Sequence, residues 1–394
     1  MKARIPGLAV PEELQKAGVK IEDPNDPEFP RPRKLKFETE QAPHPLQKSE
    51  HAFLFQGSDP FAENVSQVCV LGKAIVRYGL PESLLTKAAQ ITADDEIEKL
   101  HRFIMLSQRH DATVEKLPKR FDPQFYYWNF DRYYGIPDWR KNSVLLDNIF
   151  RYCNVLTYKM GGGTNSIVER IPMRHGDVNV VFRRNGTLIR CYTKPYLFHC
   201  SKNPAPRIAN EQEVAETSSE CLPDISPISP LIDLEEQTIY DDRTIYPLIS
   251  SRTRFQPFIT TILVNQPHDY KYPWKPVEDT ASFMMHTFGT ALAVAKHKYL
   301  TNSNSTSNTE LRLPVVTAGI QCNRNIFDFV VVQINTLDLD SDSGVKNIIW
   351  VDKTNTMFDI PNHWEDFVQI NNYDHDVFRK FLAVCMHDAN LSMG

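Results

Sequence analysis

The sequence has no apolar run of about 18 residues, so it offers no candidate membrane-spanning helix. Its longest apolar stretches, such as Phe329–Val332, are the size of a strand. Cys-x-x-Cys pairs are also missing. The seven cysteines (69, 153, 191, 200, 221, 322 and 385) are odd in number and scattered, which argues against a disulfide framework and a zinc ribbon. That usage suits a reducing compartment, and buried or idle thiols are expected. The phosphate-cradling loop G-x-x-x-x-G-K with Ser or Thr, the dinucleotide fingerprint G-x-G-x-x-G and the zinc helix H-E-x-x-H are all absent. The twelve histidines show no ligand spacing. A Cys–His nucleophilic pair would meet in space rather than in sequence, and no local pattern favours one. No cofactor is expected. The amino end lacks targeting features as well: Met1-Lys-Ala-Arg4 runs at once into Pro6, Pro11, Glu12 and Glu13. This is neither an Arg- and Ser-rich transit peptide nor a secretory signal, and taken alone it predicts a cytosolic protein.

What is present is ordinary in amount and uneven in arrangement. The 394 residues suffice for two modest domains or one large one, and 41% hydrophobic with 24% charged residues describes a folded protein. A formal charge of −5 argues against a simple nucleic-acid binder. Yet residues 101–210 hold 18 Lys and Arg against 8 Asp and Glu, while 211–242 hold ten acids and no Lys or Arg. One stretch could face phosphates and another could not.

Residues 1–50 contain eight of the 27 prolines, and proline at that density removes amide donors and extends the chain. The segment reads as an extended arm without a core, carrying the basic run Arg31-Pro-Arg33-Lys34-Leu-Lys36. Asp59-Pro60 opens a predicted helix running through Phe61, Val65, Val68, Cys69, Gly72, Ile75 and Val76, ended by Gly79 and Pro81. A second helix is predicted over Asp94–Gln108, with Ile97, Leu100 and Ile104 inward. Residues 117–140 interleave nine aromatics, among them Tyr127, Tyr134 and Trp139, with Arg120, Arg132 and Arg140. Such a mixture can stack bases, but packing is its commoner use.

Val178–Phe182 and Thr187–Tyr192 flank Arg183-Arg184-Asn185-Gly186, and Asn-Gly between two β-rich runs predicts a type I′ hairpin. Arg183, Arg184 and Arg190 would then lie at or near an exposed hairpin end. The loop-like 201–230 segment, with its acid-rich 211–220, separates a basic half from an acidic one and gives the divisions 1–50, 51–210 and 211–394. A long helix over Glu278–Tyr299 follows, with Phe283, Met284, Phe288, Leu292 and Ala295 on its apolar face, Gly289 allowing close packing, and Asp279 and Thr280 as caps. Pro314–Gln321, Ile326–Asn335 and Asn347–Val351 read as strands, and Val377–His387 as a closing helix. The fold class is therefore α+β, with antiparallel sheets, packed helices and a proline-rich arm.

Two segments invite chemistry. Gly161-Gly-Gly-Thr-Asn165 could cradle a phosphate but lacks the lysine and the strand-to-helix context, so a loop is expected. Asp338-Leu-Asp340-Ser-Asp342-Ser-Gly344 resembles the start of a calcium loop, but its glycine comes one residue late and Ile349 stands where a bidentate Glu is needed. A turn between strands is the plainer reading.

Five longer segments are more specific as an ordered set. They are Ser226–Leu234 running on to Thr238-Ile-Tyr240, Phe288–Ala293, Phe329–Asp340, Gly344–Asn347 followed by Trp350-Val-Asp352, and Phe378–Ala383. In this order they resemble the family of mitochondrial large-subunit ribosomal proteins shared by those numbered 37 and 30, the latter also labelled a programmed-cell-death protein. The resemblance is close over about 224–387 and patchier before, with islands at Ile5–Leu8, His44–Leu46 and Gly79–Glu82. It implies a mitochondrial-matrix ribonucleoprotein component without catalytic residues, in contact with large-subunit rRNA, with neighbouring ribosomal proteins and with the family paralogue. The amino end departs from it, since the family's import sequence is missing or atypical. On charge and turn position, Arg31, Arg33, Lys34, Lys36, Arg174, Arg183, Arg184 and Arg190 are the candidate RNA contacts. Two other readings compete: a metal-dependent hydrolase using Asp338, Asp340 and Asp342, and a free adaptor binding proteins through 211–242.

Overall fold

A computed structural model describes residues 12–18, 50–58, 60–90, 95–109, 115–117, 127, 134–160, 170–174, 176–228, 235–239, 257–265, 274–300, 310–360 and 369–389. The chain divides into two compact units, Met1–Lys48 and Ser49–Gly394. In the first, the described residues form one short helix, α1 (Glu12–Lys16), with acids in its first turn and Lys16 in its last, as the helix dipole favours. Arg31, Arg33, Lys34 and Lys36 lie outside the described residues, as do Gly161–Asn165 and most of 118–133.

The second unit holds the strands β1 (Glu50–Phe55), β2 (Ala74–Tyr78), β3 (Glu115–Lys116), β4 (Tyr134–Gly135), β5 (Arg170–Arg174), β6 (Val178–Arg184), β7 (Thr187–Thr193), β8 (Leu197–Ser201), β9 (Glu235–Ile239), β10 (Phe258–Asn265), β11 (Glu310–Asn323), β12 (Ile326–Thr336) and β13 (Asn347–Thr356). Its helices are α2 (Asn64–Gly72), α3 (Glu82–Ala89), α4 (Glu96–Arg109), α5 (Asp138–Met160), α6 (Glu211–Glu216), α7 (Pro276–Leu300) and α8 (His375–Cys385). Seven strands form one sheet in the order β2-β13-β12-β11-β10-β8-β5, and four form another, β6-β7-β1-β9. Most pairs are antiparallel. The sheets are nevertheless mixed, because β1–β7, β10–β11 and β13–β2 pair in parallel.

The large sheet is buried on both faces. Along β12, Phe327, Phe329 and Val331 join the core under α3, α4, α5 and α8, while Val330, Val332 and Ile334 join the core around α7 and α2. That alternation follows from the two-residue period of a strand, and it explains why this segment reads as one apolar run. α7 lies between the two sheets, packed on strands of both. Phe283, Met284, Phe288, Leu292 and Ala295 are all buried there. Gly289 faces Cys191 of β7 so closely that an added Cβ would collide with the sulfur. Strands from both sides of residue 210 share the large sheet, so that position marks a change in charge inside one body.

Several local expectations need correction. The predicted first helix stops at Gly72, where Lys73 adopts φ 44°, ψ 54°. The β-branched Ile75 and Val76 then pair with Ile348 and Ile349 instead of continuing the helix. Asp279 and Thr280 lie inside α7 rather than capping it; the Glu278 carboxylate accepts from the Lys275 amide at 2.8 Å. Ile97 on α4 is exposed, whereas Leu100 and Ile104 are buried. The acid-rich stretch after 210 begins with α6, closed by a capping box between Asn210 and Glu213. All seven cysteines are free thiols, and only Cys221 is exposed.

Candidate nucleic-acid interface

The hairpin forms as the sequence predicts, with Asn185 at φ 50° and Gly186 at φ 75°. Its arginines do not stay together. Successive residues of a strand face opposite sides, so Arg183 and Arg184 cannot both reach solvent from a sheet covered on one face by α7. Arg183 is the outward one. Its side chain is 50% exposed and pairs with Glu50, on the face that carries a small cluster of Ala52, Val181, Leu188 and Ile239. Arg190 is half-buried, with Nε donating to Asn179 Oδ1 at 2.9 Å and Nη1 donating to Gln237. Arg174, at the end of β5, exposes its guanidinium, pairs with Asp147 at 2.6 Å and sits over the Tyr196 ring.

Arg184 corrects the sequence reading. It is 1% exposed and donates to Val70 O at 2.6 Å, to Leu339 O at 2.9 Å and to the Asp342 carboxylate. The segment it grips is the Asp338–Gly344 turn. Lys73, equally buried, donates from Nζ to Asp338 O at 3.0 Å and Ser343 O at 2.6 Å. Lys346 donates to Thr217 O at 3.0 Å and Ser218 O at 3.3 Å. Asp340 accepts from the Gly186 amide at 2.7 Å. The three aspartates that suggested a metal loop are thus directed to Lys73, the Gly186 amide and Arg184, and the turn joins β12 to β13 as a structural clasp. Asn347 extends it by donating to Gly72 O at 2.9 Å and accepting from the Asn335 amide at 2.8 Å. Burial draws the Lys73 amine below its ordinary pKa, Arg184 and Lys346 reinforce the fall, and Asp338 and Asp342 oppose it. The end of Phe329–Asp340 together with Gly344–Asn347, both behind the family resemblance, forms this clasp.

A second polar cluster is wholly internal. Arg170 pairs with Asp388 at 2.9 Å, and Thr260 Oγ1 donates to the same carboxylate at 3.1 Å. Burial pushes Asp388 up, but Arg170, His199 and His387 outweigh it and hold the carboxyl low. His199 packs edge-on against Phe150 and, among the described residues, neither of its ring nitrogens has a hydrogen-bond partner. Burial lowers its pKa to about 3.

Of the eight candidate contacts, the structure therefore offers Arg174 and Arg183 as exposed guanidiniums, on different sheets. It half-buries Arg190, turns Arg184 inward and leaves four outside the described residues. No family model matches the sequence. The chain is 27% identical over 403 residues to large ribosomal subunit protein mL37 of Bos taurus, spanning 98% of this chain and 84% of the relative. Identity to mL37 of Gallus gallus is 25%, over 87% of this chain and 76% of the relative. Identity to mL37 of Rattus norvegicus is also 25%, over 88% and 77%. The similarity therefore extends well before residue 224, where the motif islands are sparse.

Proposed function

The chain is a relative of the large ribosomal subunit protein mL37 along nearly its whole length, and on that premise we propose that it is a structural constituent of the mitochondrial large ribosomal subunit. It works in the matrix, performs no reaction, and keeps its place through large-subunit rRNA, neighbouring ribosomal proteins and the family paralogue. The observation that carries this reading is the near-complete coverage of both chains by one alignment. Arg174, Arg183 and the basic run Arg31–Lys36 are its RNA contacts. The hydrolase alternative is disfavoured by the separate engagement of Asp338, Asp340 and Asp342. Calorimetric titration with calcium, magnesium and manganese is expected to give no binding heat.

Sedimentation of the tagged chain from mitochondrial lysate through a sucrose gradient is the primary test. Movement with the large subunit is expected, and a chain that stays at the top of the gradient refutes the proposal in favour of a free adaptor. Arg174→Glu with Arg183→Glu is the informative charge reversal, because Arg184→Glu would damage the fold itself. Loss of the double variant from the subunit fraction supports the assigned contacts, and unchanged sedimentation removes them.

A further inference from the structure

Away from the hairpin, a cavity of about 240 Å³ opens between α4 and the first turns of α5. Leu106, Ile136 and Val144 supply apolar walls, and Arg140, Lys141 and Asn148 supply polar ones. Beside it stand aromatic side chains that the fold leaves uncovered: Tyr134 is 63% and Trp139 42% exposed. The Arg140 guanidinium lies 5.2 Å from the Trp139 ring centroid and pairs with Glu115 at 2.5 Å. Arg324 contributes a further cation and pairs with Asp138 at 2.8 Å. Among the described residues no carboxylate comes within ion-pair distance of Lys141, which is half-buried; burial draws its amine below the ordinary pKa, Asp138 opposes this from farther away and Arg324 reinforces it.

This corner is held rigidly. Asn265 Nδ2 donates to Trp139 O at 2.6 Å and to Ser143 Oγ at 2.8 Å. Asn142 links Asn265 to the β11–β12 turn, donating to Asn265 Oδ1 at 3.1 Å and accepting from the Arg324 amide at the same distance. The first turn of α5 is thereby tied to the ends of three strands, so exposing Trp139 is not a matter of slack. Large aromatics dominate packing wherever they can be buried, and an indole fixed in solvent beside a guanidinium is suited to stacking on a base while cations lining the cavity meet the phosphates.

We propose that the α4–α5 corner binds an unpaired stretch of RNA, one base stacking on Trp139 or entering the cavity beside it and the adjoining phosphates meeting Lys141, Arg140 and Arg324. The proposal rests on the reading that this protein meets RNA, and it adds a place and a kind of RNA. Unpaired nucleotides are favoured over duplex because stacking on a side chain requires a base free of its own stack, whereas a duplex offers backbone and shape. The cavity is smaller than the roughly 300–1,000 Å³ of sites for drug-sized ligands, which suits a single planar ring.

The test uses the full chain and two fluorescent RNAs, a uridine-rich single strand and a mixed-sequence duplex, with binding followed by anisotropy. Trp139→Ala and Lys141→Gln are each expected to weaken single-strand binding about ten-fold, with Trp139→Phe retaining most of it. Unchanged circular dichroism and thermal midpoint show that the variants fold; Trp139 is exposed enough for that to be expected. Single-strand binding that is absent, or indifferent to both variants, overturns the proposal, as does equal loss on the duplex. If Trp139→Ala instead releases a co-purifying ribosomal protein and leaves RNA binding intact, the corner is a protein interface and the proposal falls. The gradient experiment decides the ribosomal reading separately: a chain that binds the single strand through Trp139 but never joins the subunit refutes that reading and leaves this site standing.

Discussion

Arg184→Ala separates the structural account of the hairpin from the one its sequence suggests. The side chain joins three acceptors drawn from α2 and the β12–β13 turn. Truncation leaves two main-chain carbonyls without their donor, and an orphaned buried acceptor costs roughly 1–3 kcal/mol. The two losses are unequal. Val70 O also accepts from the Lys73 amide at 3.2 Å and keeps that bond, so most of the cost falls on Leu339 O and on the lost packing of the arginine stem. Asp342, whose side chain is 65% exposed, regains water and contributes little. The sum is about 3 kcal/mol, a shift of about 1 M in the urea midpoint for a slope near 3 kcal/mol/M.

Urea unfolding of matched variants reads this directly. Arg184→Ala is expected to lower the midpoint with an unchanged slope, and Arg184→Lys to fall between it and the parent, since an ammonium keeps the charge but not the planar fork. Arg183→Ala is the internal control. Its partner Glu50 is 43% exposed, and surface pairs of that kind are worth at most about 1 kcal/mol. Equal shifts for the two alanine variants, or no shift for Arg184→Ala, would refute the inward assignment and restore an exposed hairpin end carrying both arginines.

Gly289→Ala is expected to destabilise by about 1–3 kcal/mol in the same assay, because the new methyl group meets Cys191 Sγ and α7 must move away from β7; pairing it with Cys191→Ala should return part of the loss, and a neutral single variant would show that the helix is not packed so tightly. Stability is also expected to fall as the pH drops below about 6.5. His199 is held at about 3 by burial, so between 6.5 and 3 the unfolded chain binds the extra proton; the histidine's favourable contribution is complete above that window and lost on descending through it. From pH 7 to 5 this one residue accounts for about 2 kcal/mol, and His286, lowered to about 4, acts in the same direction. Urea midpoints for His199→Phe at those two pH values should differ less than the parent's, and an identical dependence would exclude His199 as a source.

Local period and turn chemistry made much of this fold legible. The Asn-Gly hairpin, the apolar face of α7, the β11–β12 pair and α8 each announce themselves within a dozen or so residues. α5 was equally available, since Leu145, Leu146, Ile149, Cys153 and Leu156 repeat at helical spacing, but the sequence reading stops at the aromatics ahead of it. β2 was not available locally: Ala74–Tyr78 suits either element, and the decision is made by β13, which follows it by about 270 residues and offers parallel pairing while Asn347 binds Gly72 O. The inward turn of Arg184 is of the same kind, since its carbonyl partners lie 114 and 155 residues away. The candidate site was therefore legible as a set of residue types and illegible as a surface.

Charge counted along the chain overstates the charge a partner meets. The basic stretch 101–210 includes Arg170 and Arg184, which the fold turns inward against Asp388 and the β12–β13 turn, and Arg190, which it half-buries beside Asn179 and Gln237. The aspartates of that turn lie beyond residue 210, yet they are answered by cations that precede it, Lys73 and Arg184. Exposed cations such as Arg102, Arg109, Arg151 and Lys159 remain outside, while other cations are already paired: Arg183 with Glu50, Arg174 with Asp147, Arg140 with Glu115 and, beyond the basic stretch, Arg324 with Asp138. An RNA that displaces these carboxylates gains little from Coulomb attraction alone, because each phosphate contact breaks an ion pair that solvent already screens. Affinity at such a surface must come from groups with no intramolecular competitor. At the α4–α5 cavity Lys141 is such a group among the described residues, while the exposed Trp139 face is shared with Arg140, so stacking there adds to what charge alone supplies.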